Sequence, residues 1–316
     1  MPTKQTESAP SFLQVYTQVR RDRMKYSFLR QISACFDWRG IRTLLNKKYT
    51  KTQNATGNPA YGALMMFKIL LLQTWYDLSD YEVEERISDS LLFSEFLLLD
   101  MGLPAPDHST ICRFCAELTR LGIMDKLLRE LNKQFKKHGI SRIDQGAIVD
   151  ASIMDTEARC VRKGRHYRYG DKNHELTNGQ GLVESVITTP TNCADTVVLP
   201  ELIEKAELTQ GVSVLADKGY CSKKNSACLL ECGLIDGIML KAKKGMKLTE
   251  RQREFNNLIS KTRCLIERTF GSIRRWFSGG RCRYRGLERT HTQNILEAMA
   301  YNLKRMPGLL VLQSIQ

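Results

Sequence analysis

Three acidic residues in the second half of the chain stand where they could hold divalent metal ions. Asp150 interrupts the apolar run 147–153, Asp217 directly follows the apolar run 212–216, and Glu267 lies in a stretch with helical periodicity. An aspartate inside a buried strand is costly unless it is paired or bound to a metal. Oxygen-only ligands suit Mg²⁺ or Mn²⁺, and two such ions can activate a water or a 3′-hydroxyl for attack on a phosphodiester.

The helix that carries Glu267 is predicted from residues 258–277. An apolar stripe at steps of three or four residues indicates a helix packed on a sheet. We expect its buried face to hold Ile259, Thr262, Ile266, Phe270, Ile273 and Phe277. The adjoining face carries Ser260, Arg263, Glu267, Gly271 and Arg274. The alternative is an exposed helix with ordinary Arg/Glu pairs on its surface.

The elements that must position these carboxylates alternate between strand and helix patterns. On the first strand, Ile148, Asp150 and Ser152 share one face. Asn178-Gly179 predicts a hairpin turn between the strands 169–176 and 182–189. Further predicted elements are a helix capped by Asp195 or Thr196 and ending at Ala206, a helix capped by Ser222, a strand over 235–240, a capping box at Thr249 and Gln252, and a helix over 292–305 that ends before Pro307.

The first half of the chain reads as helical. We divide the sequence into an N-terminal arm over 1–56, a helical domain over 57–139, a catalytic domain over 140–306 and a tail over 307–316. A strongly apolar helix is expected over 63–76, and Ser79 with Glu82 forms a capping box for the next one. The helical domain could bind DNA ends like a helix-turn-helix protein, or serve packing and dimerisation.

Composition favours a polyanionic partner. The 316 residues carry a net charge of +14, with fifteen Lys or Arg against four acids in residues 241–289 and six against one in residues 159–172. Such runs are often only solvated faces, but here they flank the candidate carboxylates, which favours a surface that follows phosphates. We expect reduced cysteines and a cytoplasmic location, because the sequence shows neither a secretory signal nor a stretch of membrane-span length.

Several motifs in a fixed order resemble those of the DDE transposases of bacterial insertion sequences, in the insertion-sequence-five group. They are GNPAYGALMMFKILLLQTWYDLSDYEVEERI, PDHSTICRF, VDASIMD, the segment with Tyr169, Gly170, Lys172 and His174, TTPTNCAD, LADKGYCSK, ISKTRCLIERTFGSIRRWF and AYNLKRM. The resemblance spans essentially the whole chain. It implies an α/β fold with an RNase H-like mixed sheet flanked by helices, and it assigns Asp150, Asp217 and Glu267 as catalytic ligands of two Mg²⁺ or Mn²⁺ ions.

The same resemblance implies roles for basic residues. The family pattern Tyr-x2-Arg-x3-Glu-x6-Lys becomes Ser260, Arg263, Glu267 and Arg274, so the tyrosine is replaced by serine. Arg263 and Arg274 are expected to clamp phosphates beside the ions, because guanidinium groups bind phosphate in a bidentate manner. We also expect DNA contacts from Lys172, His174, Lys218 and Arg275, although Lys172 and His174 could equally belong to an ordinary exposed strand.

Partners and alternatives follow from this assignment. The expected partner is double-stranded DNA, namely the terminal inverted repeats of an element and a target, bound by a homodimer in a nucleoid-associated complex. A catalytically silent DNA-binding protein on the same scaffold, or a general RNase H-type nuclease, are the competing hypotheses. Cys112 with Cys115, and Cys228 with Cys232, are expected to be core cysteines rather than zinc ligands. Asp155 and Glu157 are expected to be loop or surface acids.

Overall fold

The computed structural model describes residues 26–49, 61–100, 103–140, 146–163, 166–242, 245–277 and 279–315. In its first half the described elements are all helical. They are α1 (Phe28–Cys35), α2 (Arg39–Lys48), α3 (Ala63–Tyr76), α4 (Asp80–Asp89), α5 (Leu91–Leu97), α6 (His108–Arg120) and α7 (Met124–Lys137). Helix α3 is apolar on all sides and is buried nearly throughout, as expected for a helix at the centre of a helical layer.

Local capping signals in this half are confirmed. The Ser79 side chain accepts from Glu82 N, and the Glu82 carboxylate accepts from Ser79 N, which is the predicted capping box of α4. Asp107 is the N-cap of α6 and accepts from Thr110 N, without the reciprocal contact of a capping box. These contacts satisfy backbone donors that the first helical turn leaves without partners.

The second half forms a five-stranded mixed sheet. Its strands are β1 (Ala147–Lys163), β2 (His166–Asn178), β3 (Val183–Pro190), β4 (Ser213–Ala216) and β5 (Ile235–Ile238), in the spatial order β3-β2-β1-β4-β5. The first three strands pair antiparallel, whereas β4 pairs parallel with β1 and with β5. The predicted fold class, an α/β fold with a mixed sheet flanked by helices and preceded by a helical region, is confirmed.

Four helices complete the described second half: α8 (Leu199–Ala206), α9 (Lys223–Glu231), α10 (Glu250–Phe277) and α11 (Leu287–Ile315). The predicted caps Ser222 of α9 and Thr249 with Gln252 of α10 are present. Asp195 does not cap α8. It begins a separate 3-10 turn, Asp195–Val197, and the cap position of α8 is occupied by Val198.

The prediction that Pro307 ends the last helix is wrong. Proline removes one backbone donor and usually breaks a helix, yet α11 continues to Ile315. Beyond the proline, Leu309 and Leu310 pack against the core, and this contact accounts for the continuation.

One hydrophobic core joins the helical half to the sheet and to α11. Asn302 of α11 shows the connection, because its amide donates to Val183 O and to Asn132 Oδ1 while Val183 N donates to Asn302 Oδ1. Leu29 of α1 and Ile41 of α2 are fully buried in the same core. Residues 28–48 of the predicted arm therefore pack on the same core as the helical domain, while residues 1–25 and 50–60 lie outside the described residues and the boundary at residue 56 stays a prediction.

A buried acid on α11 makes stability depend on pH. Glu297 is 3% exposed and accepts a hydrogen bond from Gln293, and burial raises its pKa to about 7. A raised carboxyl pKa contributes stability that is fully present at acidic pH and is lost as pH rises through the folded-state value.

Replacing Glu297 with glutamine should therefore stabilise the protein at pH 8, by up to about 3 kcal/mol, and change little at pH 5. Urea unfolding of both proteins at the two pH values measures this difference. In both proteins the free energy of unfolding will keep a further dependence on pH, because burial raises the pKa of Glu175 to about 8. If Glu297→Gln raised the free energy of unfolding equally at pH 5 and pH 8, the raised pKa of Glu297 would be contradicted.

Candidate active site

Two of the predicted carboxylates lie side by side, directly after the last residue pair that joins β1 to β4. The register of β1 on β4 pairs Val149 with Ala216, so Asp150 and Asp217 are the next residues on the two strands. Residues at corresponding positions beside neighbouring parallel strands lie close together, and Asp217 in addition follows the carboxyl end of β4. Asp217 also accepts a hydrogen bond from Lys218 N at 2.7 Å, which fixes its carboxylate at the start of a 3-10 turn.

A single guanidinium joins the two aspartates. Arg263 Nη2 lies 2.7 Å from Asp150 Oδ2, and its Nη1 lies 3.6 Å from Asp217 Oδ1. Arg263 is only 8% exposed. In this structure it therefore compensates the charge of the two aspartates, where the sequence predicted a phosphate contact.

The buried face of α10 differs from the predicted stripe at two positions, and at one of them Thr269 is buried while the predicted Phe270 is half-buried. Thr262 is exposed and Arg263 is buried in its place, between Ile259 and Ile266. A hydrophobicity pattern cannot favour an inward arginine, but two carboxylates beneath the helix make that position favourable for a cation.

Asp150 occupies a partly desolvated position. Burial raises its pKa, and the neighbouring Arg263 charge opposes that rise. Its register partner on β2 is Glu175, a completely buried acid whose Oε1 accepts from Asn173 Nδ2 at 2.7 Å. The acidic side chains at this site, Asp150, Asp217 and Glu175, outnumber the single guanidinium of Arg263. The site would therefore stabilise an additional cation.

Glu267 does not join the two aspartates in this arrangement. Its side chain is exposed, and the described residues include no group of three or more His, Cys, Asp or Glu side chains placed to hold a metal ion. It follows Arg263 by four residues, so it projects from α10 one turn further along and about 40° around the helix axis. Two members of the predicted triad are together, and the third lies on the adjoining helix face.

Arg274 attaches the later part of α10 to the strand that bears Asp150. Its Nη2 donates to Ser152 Oγ at 2.5 Å and to Ile153 O at 3.2 Å. Arg263 and Arg274 thus fix the helix against β1 on both sides of Glu267. The Arg274 side chain is exposed, so it remains able to contact a phosphate. That contact stays a prediction.

His174 and Lys172 are placed differently from the prediction. His174 is fully buried, with its ring nitrogens 2.9 Å from Tyr220 Oη and from Thr189 Oγ1, so the structure does not support DNA contact by this residue. Lys172 is engaged within the chain, because its Nζ donates to Asp195 Oδ1 and Cys193 O, both at 2.7 Å.

The physical reason for this correction is strand register. Asp150 pairs with Glu175, so His174 is one residue out of step and lies on the opposite face of the sheet. Lys172, two residues from His174, shares that opposite face. A strand pattern by itself does not reveal this register.

Comparison with known proteins decides the family. Residues 141–303 match the family model described as a transposase DDE domain, and residues 16–117 match the transposase domain DUF772. The chain is 34% identical over 209 residues to the transposase for insertion sequence element IS1106 of Neisseria meningitidis serogroup B, which covers 57% of this chain and 72% of that protein. The chain belongs to the DDE transposase family.

Two solved structures resemble the transposase at low identity. A cryo-EM structure of the piggyBac transposase synaptic complex with hairpin DNA has a TM-score of 0.47 and 12% identity, covering 94% of this chain and 78% of that one. A crystal structure of a pre-cleavage Mos1 transpososome has a TM-score of 0.23 and 11% identity, covering 96% and 90%. Membership of the insertion-sequence-five group stays a prediction.

The remaining predicted DNA contacts of the transposase, Lys218 and Arg275, have exposed side chains and stay predictions. Asp155 is an exposed acid as expected, although it lies within β1 rather than in a loop, and the side chain of Glu157 lies outside the described residues. Among the helices that the structure describes, none combines the length and apolar character that a bilayer-spanning segment requires.

The cysteine predictions for the transposase are only partly correct. Cys115 is buried, but Cys112 and Cys232 are exposed and Cys228 is half-buried, so these three are not core residues. Within the described residues none of them belongs to a group that could hold a metal ion.

Three residues that shape this site were not predicted from the sequence. They are Glu175 beside Asp150 on β2, Tyr220 after Asp217, and Asp195 as the partner of Lys172. The sequence signal for these residues was the alternation of polar side chains along β2. Asn173 and Glu175 lie on one face of the strand and His174 lies on the other. This alternation becomes informative only once Asp150 is paired with Glu175.

Proposed function

We propose that this transposase binds the terminal inverted repeats of its insertion sequence, cleaves phosphodiester bonds at their ends, and transfers the strands to target DNA. We further propose that it acts as a homodimer that pairs two ends, in the cytoplasm and associated with the nucleoid while bound. The observation that carries the proposal is the convergence of Asp150 on β1 and Asp217 after the adjacent strand β4 on one buried guanidinium.

The chemistry of these side chains fits divalent metal ions. The donor set of Asp150, Asp217 and Glu267 is oxygen only, which suits Mg²⁺ or Mn²⁺. Burial raises the pKa of the Asp150 carboxyl and so disfavours its ionised form, which a positive charge bound beside it would stabilise. When bound, two such ions would activate the attacking hydroxyl and neutralise the leaving oxygen of an in-line displacement.

The chain's own residues position the reacting groups. Asp150 lies on β1 and Asp217 directly follows β4, and because these two strands are hydrogen-bonded to one another the sheet brings the two carboxylates together. Arg263 lies at the same place and can pair with a phosphate delivered there, since its guanidinium is already oriented between the carboxylates. Such pre-arranged charge lowers the barrier because little reorganisation is needed during the reaction.

DNA would be held by the exposed cations around the site. Lys261, Arg268, Arg274 and Arg275 on α10, with Lys218 beside Asp217, are exposed. Contacts to phosphates release counterions, so the association constant falls steeply with salt. For six or more phosphate contacts, affinity should fall about 1,000-fold between about 50 and 200 mM salt.

The proposal is tested with a duplex taken from the DNA that flanks the reading frame. The expected result is binding with a steep salt dependence, cleavage at the repeat end with Mg²⁺ but not with a chelator, and joining to a supercoiled plasmid. A duplex of the same composition in scrambled order is the matched control. Equal cleavage of both duplexes without joined products would indicate a general nuclease instead.

A silent DNA-binding protein is the second candidate function. It is favoured by one observation, namely that Glu267 is exposed and apart from the two aspartates, whose charge Arg263 already compensates in part. Specific, salt-sensitive binding of the repeat duplex without cleavage under Mg²⁺ or Mn²⁺ would establish this candidate and exclude the first.

A further inference from the structure

The short turn that presents Asp217 is held by a buried contact on the far side of the sheet. Asp217 caps the 3-10 turn Lys218–Tyr220, and Tyr220 at its end is 1% exposed. The Tyr220 hydroxyl lies 2.9 Å from His174 Nδ1, and His174 is fully buried on β2. The turn is therefore tied to a strand that is not its neighbour in the sheet.

A second contact holds the middle of the same turn. A Cβ atom added at Gly219 would lie 3.0 Å from Asp195 Oδ2, so Asp195 closes directly over this residue. Asp195 is itself fixed by Lys172, whose Nζ also donates to Cys193 O at 2.7 Å. Glycine leaves the room that this close approach requires.

The chemistry of the His174 contact suits a fixed support. Burial lowers the pKa of His174 well below its usual range, so the ring is neutral at physiological pH. A neutral imidazole donates from one nitrogen and accepts at the other, and here both nitrogens have hydroxyl partners, Tyr220 and Thr189. Asn225 of α9 adds a third restraint by donating to Tyr220 O at 2.8 Å.

We propose that His174, Tyr220, Lys172 and Asp195 are positioning residues that hold Asp217 at its separation from Asp150. The inference rests on the proposed function. Strand β4 has only four residues, and the Asp217 side chain is 38% exposed, so the strand alone gives this carboxylate limited support. A shift of about 1 Å in a catalytic group can cost about 100-fold in rate.

The first test compares Tyr220→Phe with Ser185→Ala. The first change removes the hydroxyl that meets His174 and keeps the ring. The control removes another buried hydrogen bond on the same sheet face, from Ser185 Oγ to Leu202 O at 2.9 Å, which does not touch the turn. Both variants should fold, with similar small losses in thermal midpoint.

Two measurements separate positioning from general stability. Tyr220→Phe should slow single-turnover cleavage of the repeat duplex about 10- to 100-fold, and should weaken Mn²⁺ binding, followed by paramagnetic resonance without DNA, about tenfold. Binding of the repeat duplex without metal should be unchanged. Ser185→Ala should match the wild type in all three measurements.

Lys172→Met provides an independent variant, because it releases Asp195 without altering the Tyr220 contact. It should weaken Mn²⁺ binding and slow cleavage in the same direction as Tyr220→Phe. If both variants bind Mn²⁺ and cleave DNA as Ser185→Ala does, the positioning role is wrong while the proposed function stands. If the wild type neither binds Mn²⁺ nor cleaves, the proposed function fails and the inference fails with it.

Discussion

Replacing Asp150 or Asp217 with asparagine, or Glu267 with glutamine, should slow cleavage of the repeat duplex at least about a thousandfold, because each loses a charged ligand worth several kcal/mol of transition-state stabilisation. These substitutions keep side-chain size and remove charge. The measurement is single-turnover cleavage with Mg²⁺ at saturating protein. Duplex binding should persist, since the exposed cations are untouched.

The matched control for this series is Asp155→Asn. Asp155 lies on the same strand as Asp150, five residues on, and its side chain is exposed. We expect cleavage within the range of the wild type, because this acid lies outside the proposed ligand set. Retention of wild-type rates by any one of the three site variants would remove that residue from the set, and retention by all three would refute metal-dependent catalysis at this place.

Removing the charge of Arg263 should have the second large effect. Arg263→Met keeps the length of the side chain but leaves Asp150 in a partly buried position without its nearest cation. Removing one partner of a buried ion pair costs about 3 to 5 kcal/mol. The free energy of unfolding at pH 7, measured in urea, should fall by about that amount.

Arg268→Met is the control for this loss. It lies five residues along the same helix with an exposed side chain, and substitutions at such positions usually change stability by less than about 0.5 kcal/mol. The double variant Arg263→Met with Asp150→Asn should recover part of the loss, because it removes both charges of the pair. Equal stability of Arg263→Met and Arg268→Met would show that the ion pair contributes nothing.

Local signals in the sequence predicted the framework of this fold. The apolar run at Ala63–Tyr76, the capping box of Ser79 and Glu82, and the strand that stops at Asp217 each depend on neighbouring residues only. Such features are readable because helix capping and strand ends are decided within a few residues. The placement of Asp150 beside Asp217 also follows, once both are assigned to adjacent parallel strands.

What could not be predicted depends on partners distant in sequence. Whether His174 faces the Asp150 side of the sheet is decided by the register of β1 on β2, and a shift of one residue reverses the face of every side chain. Likewise, the inward position of Arg263 depends on two carboxylates that lie 113 and 46 residues earlier. The hydrophobic pattern predicted that Thr262 is buried, because such a pattern depends only on the polarity of each side chain and takes no account of charged partners.

Crystals of the transposase grown with its repeat duplex and Mn²⁺ test the central claim most directly, through the anomalous scattering of manganese. The account predicts anomalous peaks within bonding distance of Asp150 and Asp217, with Glu267 among the ligands and the Arg263 guanidinium displaced from between the aspartates. Density without such peaks, with Arg263 still bridging Asp150 and Asp217 beside bound DNA, would contradict it.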